Sequence, residues 1–301
     1  MSYGMPYKGS KSKVALWVIS QLPKGKRLVD LFGGGGAITH CGILSGKYES
    51  VLYNEKNKAV ADLFQDAVNG KYGQDYVPQW VSREQFFEQK DKDGFIKIMW
   101  SFGNDCHTYL FGRQIEAYKK ALFYAVVNKD YSLLKEYEQF KDFDFSEFDK
   151  INGIDTRRKK FSSIVLDKLG ATKKEKRKSE MENVEKLSRL QNLVGLDRLG
   201  NVTACRSSRL AITSTDYRAY KHENGDVVYC DPPYEKTSGY GNRFDTQAFY
   251  DWASSQPFDV YFSSFEIGDS RFRLIAEKRR NCTMSANSNS KKVVEKLYKN
   301  H

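Results

Sequence analysis

Two patterns alternate along the first part of the chain. Short apolar runs bounded by glycine or polar residues predict strands, and longer amphipathic stretches predict helices. Residues 27–32 (Arg-Leu-Val-Asp-Leu-Phe) have the pattern of a short buried strand that ends in Gly33-Gly34-Gly35-Gly36, and helix-compatible Ala37–Leu44 follows. Residues 49–54 predict a second strand and Ala59–Val68 a second helix. Ser12–Leu22 predicts one more helix ahead of them, ended by Pro23 and Gly25. This β-α-β-α order begins a parallel α/β sheet. From about Lys71 to Asn201 the alternation fades. That stretch holds an acidic, aromatic run (Glu136–Asp149), basic runs at Arg157–Lys160 and Lys173–Lys178, and an amphipathic helical pattern at Met181–Leu193. The strand pattern then returns at Leu210–Thr213, Asp226–Cys230 and Phe258–Ser263, with a helix predicted over Gln247–Ser254. Phe272–Ala276 and Cys282–Ser285 predict two late strands, and Lys291–Lys299 reads as a terminal helix or strand. One α/β domain interrupted by a segment of different character accounts for this order.

Composition narrows the picture. The chain has 301 residues, 40% hydrophobic and 14% aromatic, enough for a substantial core and against wholesale disorder. No apolar run approaches the roughly 20 residues of a membrane helix. The opening residues lack the apolar segment of a secretory signal. Cys41, Cys106, Cys205, Cys230 and Cys282 are scattered, which predicts reduced thiols in a cytosolic protein and neither a disulfide frame nor a zinc site. The formal net charge of +11 makes a polyanion such as nucleic acid a reasonable partner. The excess is spread almost evenly, so it does not locate a binding face. Taken alone, each charge run reads first as solvated surface.

Three features carry candidate chemistry. Asp30-Leu31-Phe32-Gly33-Gly34-Gly35-Gly36-Ala37 places glycines between a first strand and a helix N-terminus, where bare backbone N–H groups can meet an anion. The run lacks the Lys-Ser/Thr of a phosphate loop and the last glycine of a dinucleotide fingerprint. Taken alone, it is as compatible with a plain glycine turn. Glu55 follows the second strand, about 20 residues beyond the glycines, where an acidic residue can accept from ribose hydroxyls. An exposed Glu that starts a helix is the equal alternative. Asp231-Pro232-Pro233-Tyr234 is the most specific feature. Two prolines after a buried strand force the chain out of the sheet and remove two N–H donors. What remains is a corner of acceptors, a carboxylate and carbonyls, beside a flat tyrosine ring. It suits an amino group on an aromatic base. Two bonds donated by that amine would draw the nitrogen lone pair out of the ring, while Tyr234 stacks on the base.

Taken in order, these motifs resemble the Dam-type, S-adenosylmethionine-dependent DNA adenine-N6 methyltransferases, particularly those of phages. Tyr7-Lys8-Gly9-Ser10-Lys11 resembles the family's N-terminal Tyr-x-Gly-Asn/Ser-Lys, and Val29 to Gly35 its cofactor loop. Asn54-Glu55-Lys56-Asn57 stands where an aspartate is usual in place of Glu55, and Thr215-Asp216-Tyr217 where Gly-Asp-Phe is usual. Val227 to Tyr234 is close to the catalytic strand. Phe262-Ser263-Ser264 and Glu295-Lys296-Leu297-Tyr298-Lys299-Asn300 resemble the closing motifs. Trp100 to Asn104 and Phe111-Gly112-Arg113 are similar to segments of phage members. The resemblance covers roughly residues 1–70 and 203–301, which it implies are the catalytic, cofactor-binding domain. It implies a doubly wound, mostly parallel Rossmann-like sheet with a late antiparallel strand, and a mainly helical target-recognition insert over 71–202.

The resemblance also implies roles. S-adenosyl-L-methionine would be held by Tyr7, Lys11, Asp30, Phe32, Gly33, Gly34, Gly35, Glu55, Asp216 and Tyr217, with Lys11 and the loop at its methionine carboxylate, Glu55 at the ribose and Asp216 at the adenine. Asp231, Pro232, Pro233 and Tyr234 would form the catalytic corner, with no metal. The target adenine would be flipped out of double-stranded DNA and methylated by direct in-line transfer. Arg113, Arg157, Arg158, Lys159 and Lys160 are candidate phosphate contacts. A short site, with GATC the family-weighted expectation, a monomer or weak dimer on DNA, and the cytoplasm of a bacterial or phage-infected cell complete the expectation. The role could be restriction-modification, phage protection or regulation. The alternatives are an RNA amino-group methyltransferase, disfavoured by the long span between the glycine loop and the Pro-Pro corner, and a catalytically silent DNA-binding relative, disfavoured by intact Asp231 and Tyr234.

Overall fold

The computed structural model describes residues 2–168, 190–233, 244–281 and 292–300. Seven strands form one mixed sheet in the order β3-β2-β1-β4-β5-β7-β6. They are β1 (Arg27–Asp30), β2 (Ser50–Asn54), β3 (Leu210–Thr213), β4 (Asp226–Cys230), β5 (Val260–Ser264), β6 (Arg273–Asn281) and β7 (Lys292–Lys299). The first five run parallel, whereas β7 is antiparallel to both of its neighbours. The chain winds outward from β1 to β3, then returns to β4 on the other side of β1. The strand order therefore reverses between β1 and β4, and an open α/β sheet binds ligands at the carboxyl ends of such a pair.

The central strands are covered on both faces, so they read as apolar runs and not as alternation. Helices α1 (Ala15–Gln21) and α2 (Ala37–Ser45) pack with Leu28, Val51, Val227 and Tyr229 on one face. The helix Thr246–Ser255 packs its Phe249, Tyr250 and Ala253 against Val29, Val228, Cys230 and Phe262 on the other. Helix α3 (Lys58–Val68) starts where the Asn57 side chain accepts from the Val60 N–H, satisfying one of the open donors of its first turn.

The described part of the segment between α3 and β3 is mainly helical. It includes α4 (Arg83–Gln89), opened by a reciprocal Ser82–Gln85 capping box, α5 (Gly94–Met99), capped by Asp93, and α6 (Arg113–Asn128). Its buried Phe86, Phe95, Trp100, Phe123, Phe140 and Phe161 form one apolar cluster with Leu63, Phe64 and Ala67 of α3, so this segment packs onto that helix. A tight hairpin, Ser101 bridged to Tyr109, reaches back to the N-terminus, where the Lys8 N–H donates to the Asn104 carbonyl.

Some elements depart from the sequence reading. The predicted N-terminal helix is a 3-10 turn (Lys11–Lys13) followed by α1, which starts only at Ala15. The first late strand is longer than Phe272–Ala276 and runs to Asn281. The terminal stretch, open between helix and strand, is a strand. The strand expected at Cys282–Ser285 and the basic run Lys173–Lys178 lie outside the described residues, as does most of the helical pattern at Met181–Leu193. Among the described residues no helix is long and apolar enough to cross a membrane.

Candidate active site

The site is built where β1 and β4 end side by side, with Asp30 opposite Tyr229 in the ladder. Beyond β1 the chain turns through four glycines into α2. Gly36 caps that helix in a left-handed conformation (φ +68°), and a Cβ there would lie 2.2 Å from the Phe64 ring, so only glycine fits. The loop is tied on three sides. The Gly33 N–H donates to the Asn54 carbonyl at 2.8 Å, the Gly34 N–H to Glu55 Oε2 at 2.9 Å, and the Tyr53 hydroxyl to the Gly34 carbonyl at 2.8 Å. From above, residues 3–8 form a strap. The Met5 N–H donates to the Gly35 carbonyl at 2.7 Å, the Gly4 N–H donates to His40 Nδ1 at 3.1 Å, and the Tyr7 side chain lies against Gly34 and Gly35.

Asp30 is buried at the end of β1. Its Oδ2 accepts from the Thr39 N–H at 3.2 Å and the Thr39 hydroxyl at 2.8 Å, whereas Oδ1 has no hydrogen-bond partner among the described residues. Burial pushes this carboxyl up to about 7; the Thr39 hydroxyl bond opposes that, and the charges of Asp231 and Glu55 add to it. Glu55 is half-buried, and its oxygens accept from the Gly34 and Asn57 N–H groups. Desolvation raises its carboxyl above the ordinary range against the pull of those two bonds.

Phe32 leaves the loop toward Tyr217, with ring centroids 5.1 Å apart, and both rings pack edge-on against Phe249. Phe244 and Trp252 complete an aromatic wall beside the ends of β1 and β4. Asp216, one residue before Tyr217, is committed to cations. Its carboxylate accepts from Lys56 Nζ at 2.9 Å and from Arg218 Nε at 2.8 Å, and the Arg218 bond in particular holds it far below the usual carboxylate range. The resemblance implies that this carboxylate meets the cofactor's adenine amino group; in the structure it pairs with two exposed cations.

Beyond β4, Asp231 is partly exposed, Pro232 is buried and Pro233 is intermediate. Tyr234 lies outside the described residues. Lys11 was expected at the cofactor's carboxylate. Its Nζ instead stands 2.8 Å from Asp231 Oδ1 and 3.5 Å from Glu295 Oε1, nearly sealed from solvent. The structure thus places Lys11 between Asp231 and Glu295. Glu295 was part of a quoted motif but had no assigned role; its motif position was the only sequence signal for it.

The candidate phosphate contacts divide. Arg113 is exposed at the start of α6, and Lys160 is exposed on the helix Ile154–Lys168. Arg157 is buried. Its guanidinium donates to the carbonyls of Val126 (2.6 Å), Ile151 (3.0 Å) and Val127 (3.2 Å), closing the carboxyl end of α6. That removes Arg157 from the DNA contacts. Arg158 and Lys159 both pair with Asp155.

Two comparisons bear on what this corner does. The family model described as D12 class N6 adenine-specific DNA methyltransferase matches residues 7–299. Comparison with curated proteins returned no match.

Proposed function

Because the chain belongs to the D12 class of N6 adenine-specific DNA methyltransferases, we propose that it takes the methyl group from S-adenosylmethionine and places it on an adenine flipped out of double-stranded DNA, at a short site for which GATC is the first candidate. The observation that carries this reading is the meeting of the glycine loop and the Asp231-Pro232-Pro233 corner at the ends of two adjacent parallel strands. Donor and acceptor groups held at those two ends would be neighbours, as a direct transfer requires.

The residues present fit a cationic cofactor. A buried carboxylate oxygen without a partner, Asp30 Oδ1, is costly unless a positive or hydrogen-bonding group meets it. The ammonium of the cofactor's methionine would do so. The backbone of Phe32 to Gly35 would hold the chain of that group, Glu55 the ribose, and Phe32 with Tyr217 a ring face. When bound, S-adenosylmethionine supplies a methyl group on a sulfonium, an electrophile that needs no metal. The enzyme's own share is orientation and charge. Asp231, fixed by Lys11, accepts a hydrogen bond from the adenine amine, and the Pro232 position contributes a carbonyl without a competing N–H. Tyr234, next in sequence, is assigned the stacking face. Extrusion of the base costs a few kcal/mol, offset by phosphate contacts for which exposed Arg113 and Lys160 remain candidates.

The test is transfer of labelled methyl from S-adenosylmethionine to unmethylated duplex DNA, with RNA as control. Label in N6-methyladenine of the duplex is expected, and label absent from DNA adenine would refute the reading. Mapping methylated positions after expression in a methylation-free host identifies the site, and a pattern without GATC would replace that assignment.

A further inference from the structure

We propose that Glu295 is a positioning residue for the transfer: it holds the Lys11 ammonium against Asp231 and leaves the three-group cluster with a net negative charge beside the reacting amine. The inference rests on the reading of Asp231 given above. Glu295 is fully buried on β7. In the ladder Ser264 of β5 pairs with Lys296, so Glu295 lies one residue beyond the carboxyl end of β5, on the rim where the catalytic corner stands. Lys11 arrives from the opposite end of the chain, in the 3-10 turn ahead of α1, and bridges the two carboxylates.

Burying Lys11 and Glu295 beside a partly exposed Asp231 is expensive, and an apolar pair of similar volume in their place would pack at least as well. The arrangement is therefore poorly explained as scaffolding. Its electrostatics have a use. Lys11 with Asp231 alone would be a neutral pair, and its ammonium would draw electron density from the oxygen that has to accept from the substrate. The second carboxylate compensates the ammonium. In the step, the adenine N6 lone pair forms the bond to the methyl carbon as the carbon–sulfur bond breaks with its electron pair left on sulfur. Positive charge passes from sulfur to N6, and one N6 proton then leaves to water by way of the Asp231 carboxylate. A fixed negative field at the nitrogen favours that movement of charge, and a low-dielectric site strengthens it.

Two substitutions separate charge from shape. Glu295→Gln keeps the volume and removes the charge, whereas Glu295→Asp keeps the charge on a shorter stem. On unmethylated duplex DNA, kcat of Glu295→Gln is expected to fall about 10–100-fold, with KM for DNA and calorimetric cofactor affinity within about twofold of the parent. Glu295→Asp is expected to retain more kcat than Glu295→Gln. The double variant Lys11→Met/Glu295→Met removes both buried charges, keeps the net charge at Asp231 but leaves that carboxylate unheld, and is expected to lose kcat through its misplacement. Parental kcat in Glu295→Gln or in the double variant, a Gln variant more active than the Asp variant, or a kcat loss matched by equal loss of cofactor affinity would overturn the proposal. The parent is assayed first. If it methylates no duplex adenine, both readings fall; if it does and the variants match it, only this one does.

Discussion

Replacing Asp30 by Asn is expected to stabilise the ligand-free protein above neutral pH while weakening cofactor binding. In the fold the carboxyl is pushed up to about 7 from an ordinary 3.8, chiefly by burial. A raised carboxyl means that the fold prefers the protonated form. Between pH 4 and 7 the unfolded chain gives up this proton and the folded chain keeps it, so the Asp30 contribution to stability falls as pH rises through that window. Above pH 7 the full penalty is present, on the order of 4 kcal/mol from that difference in titration. Asn cannot ionise and escapes it. The Asn Oδ1 can still accept from Thr39, but its Nδ2 occupies the place of the partnerless Oδ1 and costs about 1–3 kcal/mol. The net gain is therefore about 1–3 kcal/mol at pH 8, vanishing or reversing near pH 5. Urea unfolding of parent and variant at pH 5, 6, 7 and 8 measures it as a stability difference that grows with pH. Calorimetry at pH 8 should show cofactor affinity about 10–100-fold weaker in the variant, the loss of one bond to a charged group. A stability difference constant across pH would refute the burial argument, and unchanged cofactor affinity would refute the assignment of Oδ1 to the cofactor's ammonium.

Three further outcomes follow from the same geometry. Gly36→Ala puts a Cβ 2.2 Å from the Phe64 ring at a positive φ, and is expected to cost about 2–4 kcal/mol in denaturant unfolding; parental stability would show that the loop can shift. Arg157→Ala uncovers two carbonyls at the end of α6 and that of Ile151 and is expected to lower stability by about 3 kcal/mol, leaving the slope of log DNA affinity against log salt unchanged. A slope reduced by about 1 would return Arg157 to the DNA interface. His40 accepts from the Gly4 N–H, and burial holds its pKa below the ordinary value. Its neutral form therefore contributes fully above about pH 6.5 and less as pH falls below that. His40→Phe is expected to remove that acid-side loss from the difference between parent and variant melting curves recorded from pH 7 to 5, and an identical pH dependence would contradict the strap contact.

What the sequence makes legible here is chemistry that the backbone carries locally. The buried strands β1, β2 and β4 read as apolar runs, and the glycines and prolines at the ends of β1 and β4 mark where the chain must leave the sheet. Legibility fails where a charged side chain acts over distance. The apolar pattern of β6 stops at Ala276, and its remainder, through Glu277, Lys278 and Arg279, is charged. An edge strand is permitted that pattern, since charges there discourage pairing with another chain. Arg157 shows the converse error. It sits in a run of four cations that looks uniform, but the helix turns one of them inward onto the carbonyls of α6 and leaves Lys160 in water. Lys11 and Glu295 are harder still. Their meeting requires β7 to enter antiparallel between β5 and β6, which carries a residue near the end of the chain to the rim where β4 ends. No local pattern encodes that insertion. A lysine and a glutamate at opposite ends of a sequence become one electrostatic unit with Asp231 only through the register of the sheet.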